Sequence, residues 1–134
     1  HGLRPIMCVG ETSAERESGQ AGSVIERQVQ AGLADIIDIT GLIVAYEPIW
    51  GIGTGRAATP EIAAEIMGGA IRETLRVMFG TVADEVSILY GGSVNPGNVV
   101  SFMYQDPIHG ALVGGASLQA DQFVEIVKLA AAAK

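Results

Sequence analysis

Two kinds of feature in this chain are spaced for chemistry: a glutamate set against a proline, and two pairs of adjacent glycines. Glu47 immediately precedes Pro48. Proline confines the residue before it to extended conformations and resists continuing a strand. The carboxylate is therefore fixed where a strand ends. Tyr46, Ile49 and Trp50 give it apolar sequence neighbours. Burial there would raise its pKa towards neutrality, which suits a general base. Taken alone, the same residues fit a structural acid equally well. Tyr90-Gly91-Gly92-Ser93 and Val113-Gly114-Gly115-Ala116-Ser117 each place paired glycines between an apolar run and a helix-like segment. Bare N–H groups at such turns can hold an anion without a charged side chain. One turn of this kind is weak grounds for a site; two on neighbouring strands are firmer.

Between Glu47 and the next helix runs Pro48-Ile49-Trp50-Gly51-Ile52-Gly53-Thr54-Gly55-Arg56. Large apolar side chains mixed with three glycines suit a mobile lid, which excludes water when shut and swings on flexible ends. A packed turn is the plainer alternative. Cys8 lies in the apolar run Ile6-Met7-Cys8-Val9 and reads as a small buried core thiol rather than a nucleophile.

The elements that must position these residues follow one pattern. Short apolar runs over 5–9, 42–46, 86–90 and 111–113 read as strands buried on both faces. Helices are expected over 21–37, 60–79, 97–103 and 121–132. The second is announced by Thr59-Pro60-Glu61 and stopped by Gly80, with Gly68 and Gly69 weakening its interior. The last carries the apolar set Phe123, Val124, Ile126, Val127 and Leu129. Strand and helix alternate four times, which predicts an α/β fold with a parallel sheet, right-handed crossovers and no internal domain boundary. Ligands of such sheets bind at the C-terminal strand edge. Glu11, Glu47, Gly91-Gly92-Ser93 and Gly114-Gly115 should therefore converge there.

The 134 residues are 49% hydrophobic and 17% charged, which suits a folded core. A net charge of −7 leaves no basic stripe for nucleic acid or an anionic membrane. No apolar stretch approaches the ~20 residues of a membrane span. A single cysteine favours a reducing, cytoplasmic setting. The chain opens on His1 and not Met, so a natural translation start is not expected there.

The run Ala45-Tyr46-Glu47-Pro48-Ile49-Trp50-Gly51-Ile52-Gly53-Thr54-Gly55 resembles the signature of the triosephosphate isomerases. Cys8-Val9-Gly10-Glu11-Thr12, Tyr90-Gly91-Gly92-Ser93 and residues 110–118 resemble the same family in the same order. The resemblance covers essentially the whole chain, as the fifth to eighth β/α units of a TIM (β/α)8 barrel. It implies a single half-barrel domain over 1–134 and a triose phosphate substrate. It also implies proton transfer by Glu47 between adjacent substrate carbons, without metal or organic cofactor. By the same resemblance residues 48–58 form the lid. Gly53, Ser93, Gly114 and Gly115 grip the phosphate, and Tyr90 with Ser93 latches the closed lid. Glu11 contacts Trp50 in the open state. Two lid positions depart from the family pattern: Gly51 replaces alanine or serine, and Arg56 replaces lysine. Gly51 would add disorder to the open lid.

The family's carbonyl-polarising lysine and histidine are not matched. Lys128 and Lys134 fall on or beyond the last helix, and His109 precedes the fourth strand, at the opposite face. A full barrel needs roughly 250 residues. Four units would leave two open sheet edges and an apolar inner face. The chain is therefore expected to pair with the missing N-terminal half, or with a second copy of itself as a homo-oligomer. Alone it would be catalytically incomplete. A non-catalytic phosphate-binding module and a purely structural half-barrel are the alternatives.

Overall fold

The computed structural model describes residues 2–52 and 57–133. His1, Lys134 and Gly53, Thr54, Gly55 and Arg56 of the expected lid lie outside the described residues. Four parallel strands form one sheet in chain order, β1 (Ile6–Val9), β2 (Ile43–Tyr46), β3 (Ser87–Tyr90) and β4 (Gly110–Ala111). The register sets Val9 beside Tyr46, Tyr46 beside Tyr90 and Tyr90 beside Ala111. All four strands thus end together. The ladder runs past them: Glu47 N donates to Val9 O, Gly91 N to Tyr46 O and Leu112 N to Tyr90 O.

The first crossover begins with a helix the sequence reading overlooked, α1 (Ser13–Glu17). Thr12 and Glu15 form a reciprocal capping box at its start. The Thr-x-x-Glu spacing was the available signal. Helix α2 (Ala21–Gly32) buries Val24, Ile25 and Val29. It stops five residues before the expected end at Ile37. Twelve residues already rise about 18 Å, enough to return the chain past four-residue strands. The backbone then turns, leaving Ile36 and Ile37 exposed and burying Ile39 and Leu42 on the way into β2.

The expected helix over 60–79 is continuous but changes its winding. It comprises α3 (Pro60–Glu65), a π-helical stretch Ile66–Glu73, and α4 (Thr74–Phe79). Gly68 and Gly69 sit in the wide stretch, where the Gly68 backbone lies against the Pro107 ring. Gly80 closes α4 at φ +64°, a left-handed conformation that favours glycine. Helices α5 (Val99–Met103) and α6 (Ala120–Ala133) complete the fold.

One sheet face is covered by helices. Val9, Val44, Tyr46, Ile88 and Tyr90 point into a core shared with Ile25, Val29, Met67, Ile71, Leu75 and Phe102. Side chains alternate across a strand, so Ile6 and Cys8 point the other way, where both are exposed. The expectation of a buried Cys8 thiol is therefore wrong: β1 is an edge strand, and nothing described covers its second face. The same reason corrects the last helix. Of its expected apolar set only Ile126 is buried, while Phe123, Val124 and Val127 are 41–52% exposed. Its sheet partner β4 is the other edge. Among the described residues no helix is long and apolar enough to cross a membrane.

Candidate active site

Glu47 leaves β2 half-buried at the C-terminal end of the sheet. Strand alternation sends it to the face opposite Tyr46. Its surroundings are therefore not the Tyr46 and Trp50 of its sequence neighbourhood. It shares a recess of about 230 Å³ with Cys8, Val9, Gly10, Gln28, Ile49 and Ile52. Its side chain lies across Gly91, where a methyl would come within 3.1 Å of Oε1. Burial, followed by the charge of the neighbouring Glu47 carboxylate, pushes the Cys8 thiol above its ordinary pKa.

A second recess of about 370 Å³ adjoins the first through Ile52 and Gly91. It is lined by Gly91, Gly92, Ser93, Val94, Gly114, Gly115 and Ala116. Gly114 and Gly115 are exposed there. The Gly114 carbonyl accepts from Ser117 N and Oγ, which ties the turn to the short 3-10 segment Gly115–Leu118. The Ser93 loop is held by asparagines: Asn98 Nδ2 donates to Ser93 O, and Asn98 Oδ1 accepts from Asn95 N. Gly92 carries no side chain because one would strike the Tyr90 hydroxyl. Glu47, Gly91, Ser93, Gly114 and Gly115 therefore surround one mouth.

Glu11 does not join them. It is fully buried on the helix side of the sheet end, against Trp50. Its Oε1 accepts from Trp50 Nε1 at 2.8 Å, Tyr46 OH at 3.0 Å and Arg16 Nη1 at 3.1 Å. Its Oε2 is buried without a hydrogen-bond partner. Burial, reinforced by the Glu11 charge, pushes the Tyr46 phenol far above its usual range, so it stays a donor at neutral pH. Arg16 also lies 5.1 Å from the Trp50 ring centroid, in cation–π range. Nothing in the sequence marked Arg16 beyond its place in the capped helix after Glu11.

The segment expected to form the lid opens on a 3-10 turn over Ile49–Gly51, with Gly51 N donating to Pro48 O. Pro48 and Gly51 are buried; Ile49 and Ile52 are about half exposed beside Glu47. At its far end Ala58 N donates to Tyr90 OH at 3.0 Å. Tyr90 is stacked on Phe102, with ring centroids 4.2 Å apart. The Glu11–Trp50 and Tyr90–Ala58 bonds coexist.

His109 accepts from Ile88 N through Nδ1 at the N-terminal end of β3 and β4, remote from Glu47. Lys128 sits on α6. No group of metal-ligating side chains occurs among the described residues.

Fold and mouth together define a half-barrel of the TIM type, presenting one carboxylate beside glycine-lined turns. A profile of the triosephosphate isomerase family matches residues 1–130. Triosephosphate isomerase of Xanthobacter autotrophicus is 51% identical over 127 residues, covering 95% of this chain and 50% of that protein. That of Chlorobium phaeobacteroides is 48% identical, covering 96% and 52%. The crystal structure of triosephosphate isomerase from Bartonella henselae superposes with a TM-score of 0.85 at 38% identity, covering 96% of this chain and 51% of that one. The chain belongs to the triosephosphate isomerase family, and it spans about half the length of these relatives.

Proposed function

We propose that residues 1–134 form one (β/α)4 unit, the C-terminal half of a triose-phosphate isomerase barrel. It carries the base and the phosphate grip of the reaction that interconverts dihydroxyacetone phosphate and glyceraldehyde 3-phosphate. The observation that carries this reading is the Glu47 carboxylate lying over Gly91, at the rim of the recess lined by Ser93, Gly114 and Gly115. A triose phosphate held by those turns would present its carbons to Glu47. The carboxylate would take a proton from one carbon and return it to the next. Residues 48–58 would close over it, with Gly53 adding an amide to the grip. Tyr90 and Ser93 would hold the shut lid, and the Glu11–Trp50 contact would set its start.

The carbonyl-polarising side chains would come from outside this chain. Each lost electrophilic donor costs roughly 10²–10³-fold in rate, so the chain alone should turn over negligibly. Its open β1 and β4 edges and the exposed Ile6 and Cys8 face favour assembly with an N-terminal half-barrel, or with a second copy. A reducing, cytoplasmic setting fits the single free cysteine. The test is to mix the chain with a separately produced N-terminal half of a relative and assay isomerisation. Turnover that appears on mixing and vanishes with Glu47→Gln supports the proposal. An inactive mixture whose halves associate refutes it.

A further inference from the structure

We infer that Gln28 is a positioning residue for Glu47, acting through the backbone of Gly10; the inference deepens the reading of Glu47 as the base and rests on it. Gln28 projects half-buried from α2 towards the end of β1. Its Oε1 accepts from Gly10 N at 2.9 Å, and its Nε2 donates to Gly10 O at 2.9 Å. The amide thus pairs with both polar groups of one residue, as a neighbouring strand would. The reverse orientation would set donor against donor and acceptor against acceptor, so the fit fixes which way the amide points.

Gly10 packs directly against the Glu47 backbone. A methyl on Gly10 would collide with the Glu47 carbonyl oxygen, and the Glu47 carbonyl carbon would also be too near. Here the obstacle is backbone, which cannot swing away. One residue earlier, Val9 O accepts from Glu47 N at 2.7 Å. Glu47 is therefore gripped at its N–H by Val9 and buttressed at its carbonyl by Gly10. Val9 O and Glu11 O, on either side of Gly10, accept from Glu47 N and Ile49 N, so Gly10 turns its own N–H and carbonyl away from β2. The Gln28 amide occupies that side, where Gly10 would otherwise hang at an open sheet edge. Gln28 also lines the recess that holds the Glu47 side chain. A glutamine whose task was packing alone would need neither bond.

The consequence is a split between rate and binding. Loosening Gly10 lets the base drift while the Ser93 and Gly114-Gly115 turns, carried on other strands, stay in place. Gln28→Ala removes both bonds. Gln28→Glu keeps length and acceptor, loses the donor and brings a negative charge near Glu47. Gln30→Ala alters an exposed residue of the same helix and serves as control.

The test uses the mixed half-barrels and, separately, amide hydrogen exchange on this chain. Expected is a fall in kcat of roughly tenfold to a hundredfold for Gln28→Ala, with KM within about twofold. The acid limb of the kcat profile should move to higher pH for Gln28→Glu. Exchange at the Gly10 and Glu47 amides should accelerate at least about tenfold, while the Gly91 and Leu112 amides hold their rates. Gln30→Ala should change none of these. If wild-type halves mix without turnover, the functional reading fails and the exchange result alone decides whether Gln28 holds Gly10 against Glu47. If wild type is active and folded Gln28→Ala keeps its kcat, the inference is overturned. Should Gln28→Ala not fold, an unshifted pH profile and unchanged exchange in Gln28→Glu overturn it equally.

Discussion

Gly91 is where the proposed base can be displaced with the fold left standing. A methyl there would lie 2.5 Å from Glu47 Cγ, 3.1 Å from Oε1 and 3.3 Å from Cδ. Ordinary contact starts at 3.4 Å. Cγ must therefore retreat by roughly 0.9 Å, or the side chain must leave its rotamer. All three atoms belong to a side chain and none to backbone, so Gly91 N keeps its bond to Tyr46 O. Gly91→Ala should accordingly cost no more than about 1 kcal/mol of stability. A reacting group displaced by about an ångström loses on the order of 10²-fold in rate. In the reconstituted half-barrels kcat is expected to fall about a hundredfold while association of the halves is unchanged. Gly69→Ala is the matched control: its methyl meets nothing within 4 Å, and the position is helical. It should stabilise the chain by about 0.5–1 kcal/mol and leave kcat alone. A Gly91→Ala pair that turns over like wild type would refute the claim that the observed Glu47 placement is the working one.

Cys8, although exposed, should be alkylated more slowly at pH 8 than an unperturbed thiol, because burial and the Glu47 carboxylate disfavour its thiolate. A raised pKa moves the rate–pH midpoint upward, and Glu47→Gln should bring it back down; equal midpoints in both chains would contradict this. Trp50 is the single tryptophan, seated between Glu11 and Arg16, so inorganic phosphate that engages the lid should change its emission. Unchanged emission at a phosphate level where calorimetry shows saturation would separate the lid from the anion site. The buried Arg72 guanidinium donates to the carbonyls of Ala83 and Val86. Arg72→Met strands both acceptors and should cost about 2–4 kcal/mol in denaturant unfolding; a loss below about 1 kcal/mol would show that the loop rearranges to satisfy them.

The sequence by itself located the four strands, the alternation with helices, and the turns at the sheet's C-terminal edge. These are local facts. Short apolar runs, a Glu-Pro step and Gly-Gly turns announce themselves within a few residues. Local too, though overlooked, was the Thr12–Glu15 capping box that opens α1. Tertiary structure alone decided which way the side chains around that edge face. Glu11 and Glu47 both follow strands, yet one is sealed under Trp50 on the helix side and the other opens to the mouth. Cys8 sits in an apolar run and is nonetheless exposed, because edge position depends on what lies beside a strand and not on its own residues. The change of winding within 60–79, where the Gly68 backbone lies against the Pro107 ring, has no local signal beyond the two glycines, and the length of α2 follows from the height it had to climb. Gln28 looked like one more polar residue on an amphipathic helix. Only the approach of Gly10, eighteen residues away, gives its amide two partners.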